Sequence, residues 1–259
     1  YTMTLDSAFK KFILTKRLKG LAEKSIRDYE DFIQPMVKMF GSDTEIADLT
    51  ENMVDDYLLS LYEKPRSVAT LATYIRNAKI FLRWMEGKYS IDVSASNIDI
   101  PKPEKKYVRI YSQEEILAIY RAVSAESEWM VTRNRAIIFL MLDSGLRQNE
   151  ICTLLVSDID FDKRIMKVHG KGKKERFVYI GDNSAKLLKK YFEICPYKSS
   201  NVFIGRRGKE LTTDAVKHLI HKISKSLPFE FSSHKLRHNF ATNFCIDQYK
   251  QYGHMDVYR

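Results

Sequence analysis

Along the first third of the chain, apolar residues recur at helix spacing. Leu5, Phe9, Phe12 and Ile13 share one face, and Thr4 or Asp6 supplies a start signal. Ser25 to Phe40 repeats the pattern through Ile26, Tyr29, Ile33 and Met36, and Gly41 ends it. Thr50, followed by Met53, Tyr57, Leu58 and Leu61, predicts a third helix. Ser67 to Met85 predicts a fourth, with Leu71, Tyr74, Ile75, Ile80, Phe81 and Trp84 on its apolar side. Four such helices with short polar connections make a small all-α bundle, and the aromatic stripes belong to its core.

The pattern breaks at 98–111. Pro101 and Pro103 oppose helix and favour extended backbone. Lys102, Lys105, Lys106 and Arg109 make the stretch basic. It reads either as an ordinary interdomain linker or as a stiff strap laid along a phosphate backbone. Helical pattern resumes with Ser112 and Glu115, a capping box ahead of Ile116, Leu117 and Tyr120. Arg133 to Leu142 is apolar on most sides and predicts a buried helix stopped at Gly145. Residues 164–168 and 176–180 alternate like strands and are joined by Gly170 and Gly172, which predicts a hairpin. Amphipathic helices follow at 184–192 and 213–226, and Ser232-Ser233 marks one more helix start.

Charge divides the chain. Its 259 residues carry a net charge of +10. Residues 1–100 hold 14 Lys and Arg against 15 Asp and Glu, and the remainder holds 29 against 18. A basic second part implies a polyanionic partner, usually nucleic acid, although a membrane surface attracts the same charge. The longest apolar run, Ala136 to Leu142, is too short to span a bilayer. Three widely spaced cysteines, Cys152, Cys195 and Cys245, point away from a disulfide framework and from a Cys/His zinc site, and the default compartment is the reducing cytoplasm. His218 and His221, three apart on one helix, lack further ligands at suitable spacing, so no metal is expected there. The chain opens on Tyr1, which reads as a trimmed fragment.

Candidate chemistry gathers in three stretches. In His234-Lys235-Leu236-Arg237-His238, His234 and Arg237 share a helix face, pairing an imidazole that moves protons near neutrality with a guanidinium that grips phosphate bidentately. In Ser144-Gly145-Leu146-Arg147-Gln148-Asn149-Glu150, Arg147 directly follows a buried helix, which gives it a rigid base. The hairpin tip carries Lys171, Lys173 and Lys174. It lacks the Gly-x-x-x-x-Gly-Lys-Ser/Thr order of a nucleotide-binding loop, so its lysines belong to a finger.

A helical bundle, a basic linker, Gly-Leu-Arg-x-x-Glu, a Gly-Lys-Gly hairpin and His-x-x-Arg-His, in that order, resemble the tyrosine recombinase (phage-type integrase) family over nearly the whole chain. The resemblance implies a mainly α fold with a small β-sheet. A SAM-like helical core-binding domain at 1–97 is followed by the linker 98–111 and a mixed α/β catalytic domain at 112–259. It implies catalytic roles for Arg147, Lys171, His234 and Arg237, with Glu150 and His238 in support. DNA contacts are expected from Lys102, Lys105, Lys106, Arg109, Lys173, Lys174, Arg176, Arg206, Arg207 and Lys235. The implied activity is site-specific recombination, cutting and rejoining double-stranded DNA through a 3′-phosphotyrosine without cofactor or metal. The full-length protein is expected as a tetramer on paired sites and this chain as a monomer. One departure is large: Tyr258 follows Gly253-His254 by only four residues, too soon to match the family's nucleophile. The nucleophile is therefore unassigned and the chain is expected to be inactive in cleavage. The same residues also suit a sequence-specific DNA-binding protein without chemistry, or a type IB topoisomerase.

Overall fold

The computed structural model describes residues 3–89, 91–104, 109–170 and 174–254. Lys105, Lys106, Lys171, Lys173 and Tyr258 lie outside the described residues. The chain divides into two compact units, residues 1–106 and 107–259, and the division falls within 98–111.

The first unit is a four-helix bundle of α1 (Leu5–Leu18), α2 (Glu23–Phe40), α3 (Glu51–Tyr62) and α4 (Val68–Tyr89). The hydroxyl of Thr4 accepts the Ser7 N–H and that of Thr50 accepts the Met53 N–H, so two helix starts are capped by their own sequence. Phe12, Ile26, Ile33, Met36, Phe81, Leu82 and Met85 are fully buried. Phe12 meets Phe81 and Trp84 edge-on, with ring centroids 5.2 and 5.5 Å apart. This is the geometry that aromatic quadrupoles prefer. Pro35 sits inside α2 and does not end it. Its position is exposed, while Ile33, Met36 and Val37 around it are buried. The burial of that face outweighs the lost hydrogen bond. An antiparallel bridge, Thr4 with Glu45, is the β pairing among the described residues of this unit.

The second unit contains α5 (Gln113–Ala122), α6 (Glu128–Asp143), α7 (Gln148–Thr153), the strands β1 (Ile159–Asp160), β2 (Ile165–His169) and β3 (Glu175–Tyr179), then α8 (Asp182–Ile194), α9 (Thr213–Ser226) and α10 (Ser233–Tyr252). The sheet is antiparallel in the order β1-β2-β3, with Val168 opposite Arg176 and Met166 opposite Val178. The hairpin thus gains a third, two-residue strand, β1, too short for its alternation to stand out in the sequence. Helix α6 begins at Glu128, a turn and more before its apolar run, because its first turn is amphipathic and only the later turns are enclosed.

Both ends of 98–111 are packed. Ile98 is buried in the bundle core and Tyr111 in the second core, so each end of the stretch belongs to a folded unit. The Tyr111 N–H donates to Oδ1 of the buried Asn239 at 2.7 Å, which pins the segment ahead of α5 to α10. The carboxylate of Asp143 at the end of α6 accepts the hydroxyls of Ser144 and Ser184, both at 2.8 Å. Burial pushes its pKa up, and these hydrogen bonds oppose that rise. A side chain at Gly181 would collide with this carboxylate, so α8 starts directly against the end of α6.

Candidate active site

The turn that leaves α6 fixes Arg147. Gly145 takes φ +65°, and the Leu146 N–H returns to the Leu140 carbonyl at 3.2 Å. Leu146 is fully buried. Arg147 then stands in extended conformation at the N-cap of α7. Its backbone N–H donates to Oε2 of Glu150 at 2.7 Å, and its Nη1 donates to Oε1 at 2.9 Å. One carboxylate therefore holds both the backbone and the guanidinium of the same arginine.

Glu150 is 2% exposed and has a second partner. Arg176, on β3, donates from Nη1 to Oε1 at 2.7 Å and from Nη2 to Oε2 at 2.9 Å, a fork-to-fork pair. Burial raises the Glu150 pKa, but the hydrogen bonds from Arg176 and Arg147 outweigh it and hold the carboxyl at about 2. Gly170, at the end of β2, lies beside the same carboxylate: a Cβ there would sit 3.9 Å from Oε1.

Helix α10 brings the other motif. Ser232 caps it by accepting the Lys235 N–H at 3.2 Å. Leu236 and Asn239 face the core, which turns His234 and His238 to solvent. The two imidazole rings are 6.0 Å apart, one helical turn along the same face. Arg237 is half-buried, and its Nη1 is enclosed without a hydrogen-bond partner among the described residues. Burial lowers its pKa, Arg147 lowers it further, Glu150 opposes and Arg176 adds to the lowering. These charges therefore lie within electrostatic reach of one another. An enclosed guanidinium N–H without an acceptor costs about 1–3 kcal/mol or more. A phosphate oxygen is the acceptor that suits it. The side-chain amide of Gln148 donates to the Ser233 hydroxyl at 2.8 Å and ties the start of α7 to the start of α10.

The structure thus brings Arg147, Glu150, Arg176 and Arg237 together, with His234 and His238 on the exposed face of the same helix as Arg237. Three guanidiniums against one carboxylate leave a net charge of +2, suited to a phosphodiester that gains negative charge on its non-bridging oxygens. Other residues expected at DNA are paired within the protein: Arg109 with Glu115, Arg206 with Glu126 at 2.7 Å, and Lys235 with Glu230 at 2.8 Å. Each pair has at least one partner open to solvent, so its net energy is small. Lys102, Lys174 and Arg207 are exposed. His218 and His221 are also exposed, and among the described residues no three His, Cys, Asp or Glu side chains gather where a metal ion would bind.

Sequence reasoning placed Arg176 with the DNA contacts; the structure gives its guanidinium to Glu150. The signal was present in the strand alternation. Arg176 and Val178 occupy the more buried positions of β3, while Glu175, Phe177 and Tyr179 are exposed. The Gln148–Ser233 link had no sequence signal.

Residues 109–251 match the family described as Phage integrase family, and residues 9–92 match the Phage integrase, N-terminal SAM-like domain. Tyrosine recombinase XerC of Leptospira interrogans is 36% identical over 157 residues, covering 58% of this chain and 50% of that protein. Tyrosine recombinase XerC of Pediococcus pentosaceus is 26% identical over 254 residues, covering 93% and 84%. The chain thus spans about half the length of the Leptospira relatives and more of others. Among solved structures, a lambda integrase dimer bound to a COC′ core site aligns with a TM-score of 0.77 at 18% identity, covering 99% of this chain and 76% of that one. The Tn1549 transposon integrase in complex with circular intermediate DNA aligns with a TM-score of 0.72 at 17% identity, covering 99% and 93%. These structural likenesses bear on the fold. The integrase match runs over more than half of the chain and takes in Arg147, Glu150, Arg176, His234 and Arg237, so this chain, with its SAM-like helical domain ahead of a mainly helical second unit, belongs to the Phage integrase family of tyrosine recombinases.

Proposed function

We propose that this chain binds double-stranded DNA and activates one phosphodiester for site-specific cutting and rejoining through a 3′-phosphotyrosine. The setting is the cytoplasm, with the full-length protein a tetramer on paired sites. The observation that carries this reading is the pair Arg147 and Arg237 around a buried, doubly clamped Glu150, with an enclosed Arg237 N–H that has no acceptor among the described residues.

In the proposed step a tyrosine oxygen bonds to phosphorus and the bond to the 5′-oxygen breaks. The guanidiniums of Arg147 and Arg237 take the charge that develops on the non-bridging oxygens. Lys171 gives the proton that the leaving oxygen needs, and His234 holds or receives the tyrosine proton. Tyr252 does not suit the attack on this phosphate. It lies in the last turn of α10 and His234 in the first, which separates them by about 27 Å along the helix. In-line attack needs about 3–3.5 Å. Tyr258 lies outside the described residues.

The test is a nicked duplex carrying the protein's own attachment site. This chain should retain it and give no DNA-linked band after denaturation. A band that disappears with Tyr258→Phe would overturn the reading of the nucleophile. Failure to retain duplex DNA at low salt would overturn the reading as a whole.

A further inference from the structure

The exposed guanidinium of Arg147 has a carboxylate bonded to it, which presents a problem for a phosphate site. Glu150 orients Arg147 through two hydrogen bonds, yet its charge also cancels the charge that Arg147 brings to an anion. With only Arg147, Arg237 and Glu150 in the cluster, the net charge is +1. Arg176 changes this. Its guanidinium is committed to Glu150 through two bonds, and together with Arg147 it fills both oxygens of the carboxylate.

Resting on the reading above, we infer that Arg176 is a positioning residue for phosphate activation: it clamps and neutralises Glu150, so that Glu150 orients Arg147 without cancelling its charge. Arg176 does this without touching DNA. Three features support the assignment. Glu150 is almost wholly enclosed and is met by Arg147 at the N-cap of α7, Arg176 on β3 and, through space, Arg237 on α10. The fork-to-fork geometry fixes the plane of the carboxylate, which in turn fixes the direction of the Arg147 Nη1 bond. Arg176 lies on β3 opposite Val168, and the neighbouring Gly170 approaches the same carboxylate, so the clamp joins the base of the hairpin to Arg147. The hairpin that carries Lys171 and the arginine that faces the phosphate therefore share one support.

The probe is inorganic sulfate, titrated against the whole chain while the side-chain N–H resonances of Arg147 and Arg237 are followed. Wild-type protein should show saturable shifts at both. Arg176→Met should weaken sulfate about ten-fold, of the order expected for a contiguous charged network. Arg176→Lys, which keeps the charge but loses the fork, should fall between the two. In a Glu150→Gln background, Arg176→Met should add little, because the residue it acts through is already neutral. A pH series supplies a readout that loss of packing does not move. Protonation of the exposed His234 and His238 should strengthen sulfate binding in wild type and variant alike, and below that range the wild-type response should be flat, since Glu150 stays ionised down to about 2. In Arg176→Met the Glu150 step should move up from about 2, because the largest of the contacts that lower it is gone while burial still raises it. No sulfate response in wild type overturns the phosphate site and this inference with it. A wild-type response that Arg176→Met leaves unchanged overturns the inference alone. So does an equal loss in the Glu150→Gln background, which would make Arg176 a direct anion contact. Should Arg176→Met fail to fold, Arg176→Lys and the double variant decide by the same comparisons.

Discussion

Gln148 donates a hydrogen bond to Ser233 across 85 residues of chain, at 2.8 Å. Gln148 follows Arg147 directly, and Ser233 precedes His234. The bond therefore ties together the two motifs of the proposed phosphate site, although neither of its members faces the phosphate in the proposed chemistry.

Ser233→Ala should lower stability by about 1 kcal/mol, the usual net worth of one such bond. Ser232 supplies the helix cap and is untouched, so α10 should keep its helicity. Urea denaturation checks the first and circular dichroism the second. Affinity for sulfate should fall as well, because the α7 and α10 starts are no longer tied.

Glu150 should make folding stability depend on pH in acid. Its carboxyl is held at about 2 in the folded protein against an ordinary value of 4.5, so the folded state binds this proton less readily than the unfolded chain. The stability it contributes is present above the ordinary value and is lost as pH falls toward about 2. Urea midpoints measured through this window should fall more steeply for wild type than for Glu150→Gln, and equal slopes would refute the linkage.

Gly145→Ala should be strongly destabilising. The position needs a left-handed backbone, and the added Cβ would fall 2.4 Å from the ring of Phe240. A cost of at least about 1 kcal/mol comes from the backbone alone, with a further packing penalty. In a Phe240→Ala background the packing part should vanish while the backbone part remains, which a double-mutant cycle in denaturation resolves.

DNA affinity should fall steeply with salt, because the excess charge after residue 100 releases counterions on binding. Replacing Lys105 and Lys106 together by Ala should reduce the salt slope by about one to two units if the strap follows the phosphate backbone. An unchanged slope would leave the stretch as an ordinary linker.

Local physics was legible from the sequence. The four helices of the first unit follow from their 3.6-residue apolar period and from caps such as Thr4 and Thr50. The capping box of Ser112 with Glu115, the glycine stop at 145 and the alternation of β2 and β3 likewise reside in neighbouring residues. So do the motif residues themselves, because spacing along one helix puts His234, Arg237 and His238 on adjoining faces. The tertiary structure decided which distant groups meet. The fork from Arg176 to Glu150, the Gln148–Ser233 bond and the anchoring of Tyr111 by Asn239 join residues 26, 85 and 128 positions apart. No periodicity records such pairings, since each depends on how separately formed elements pack. A basic residue on a strand looks like a surface contact until the core face of that strand is known. Only the fold brings the half-exposed Arg176 guanidinium onto the carboxylate of Glu150.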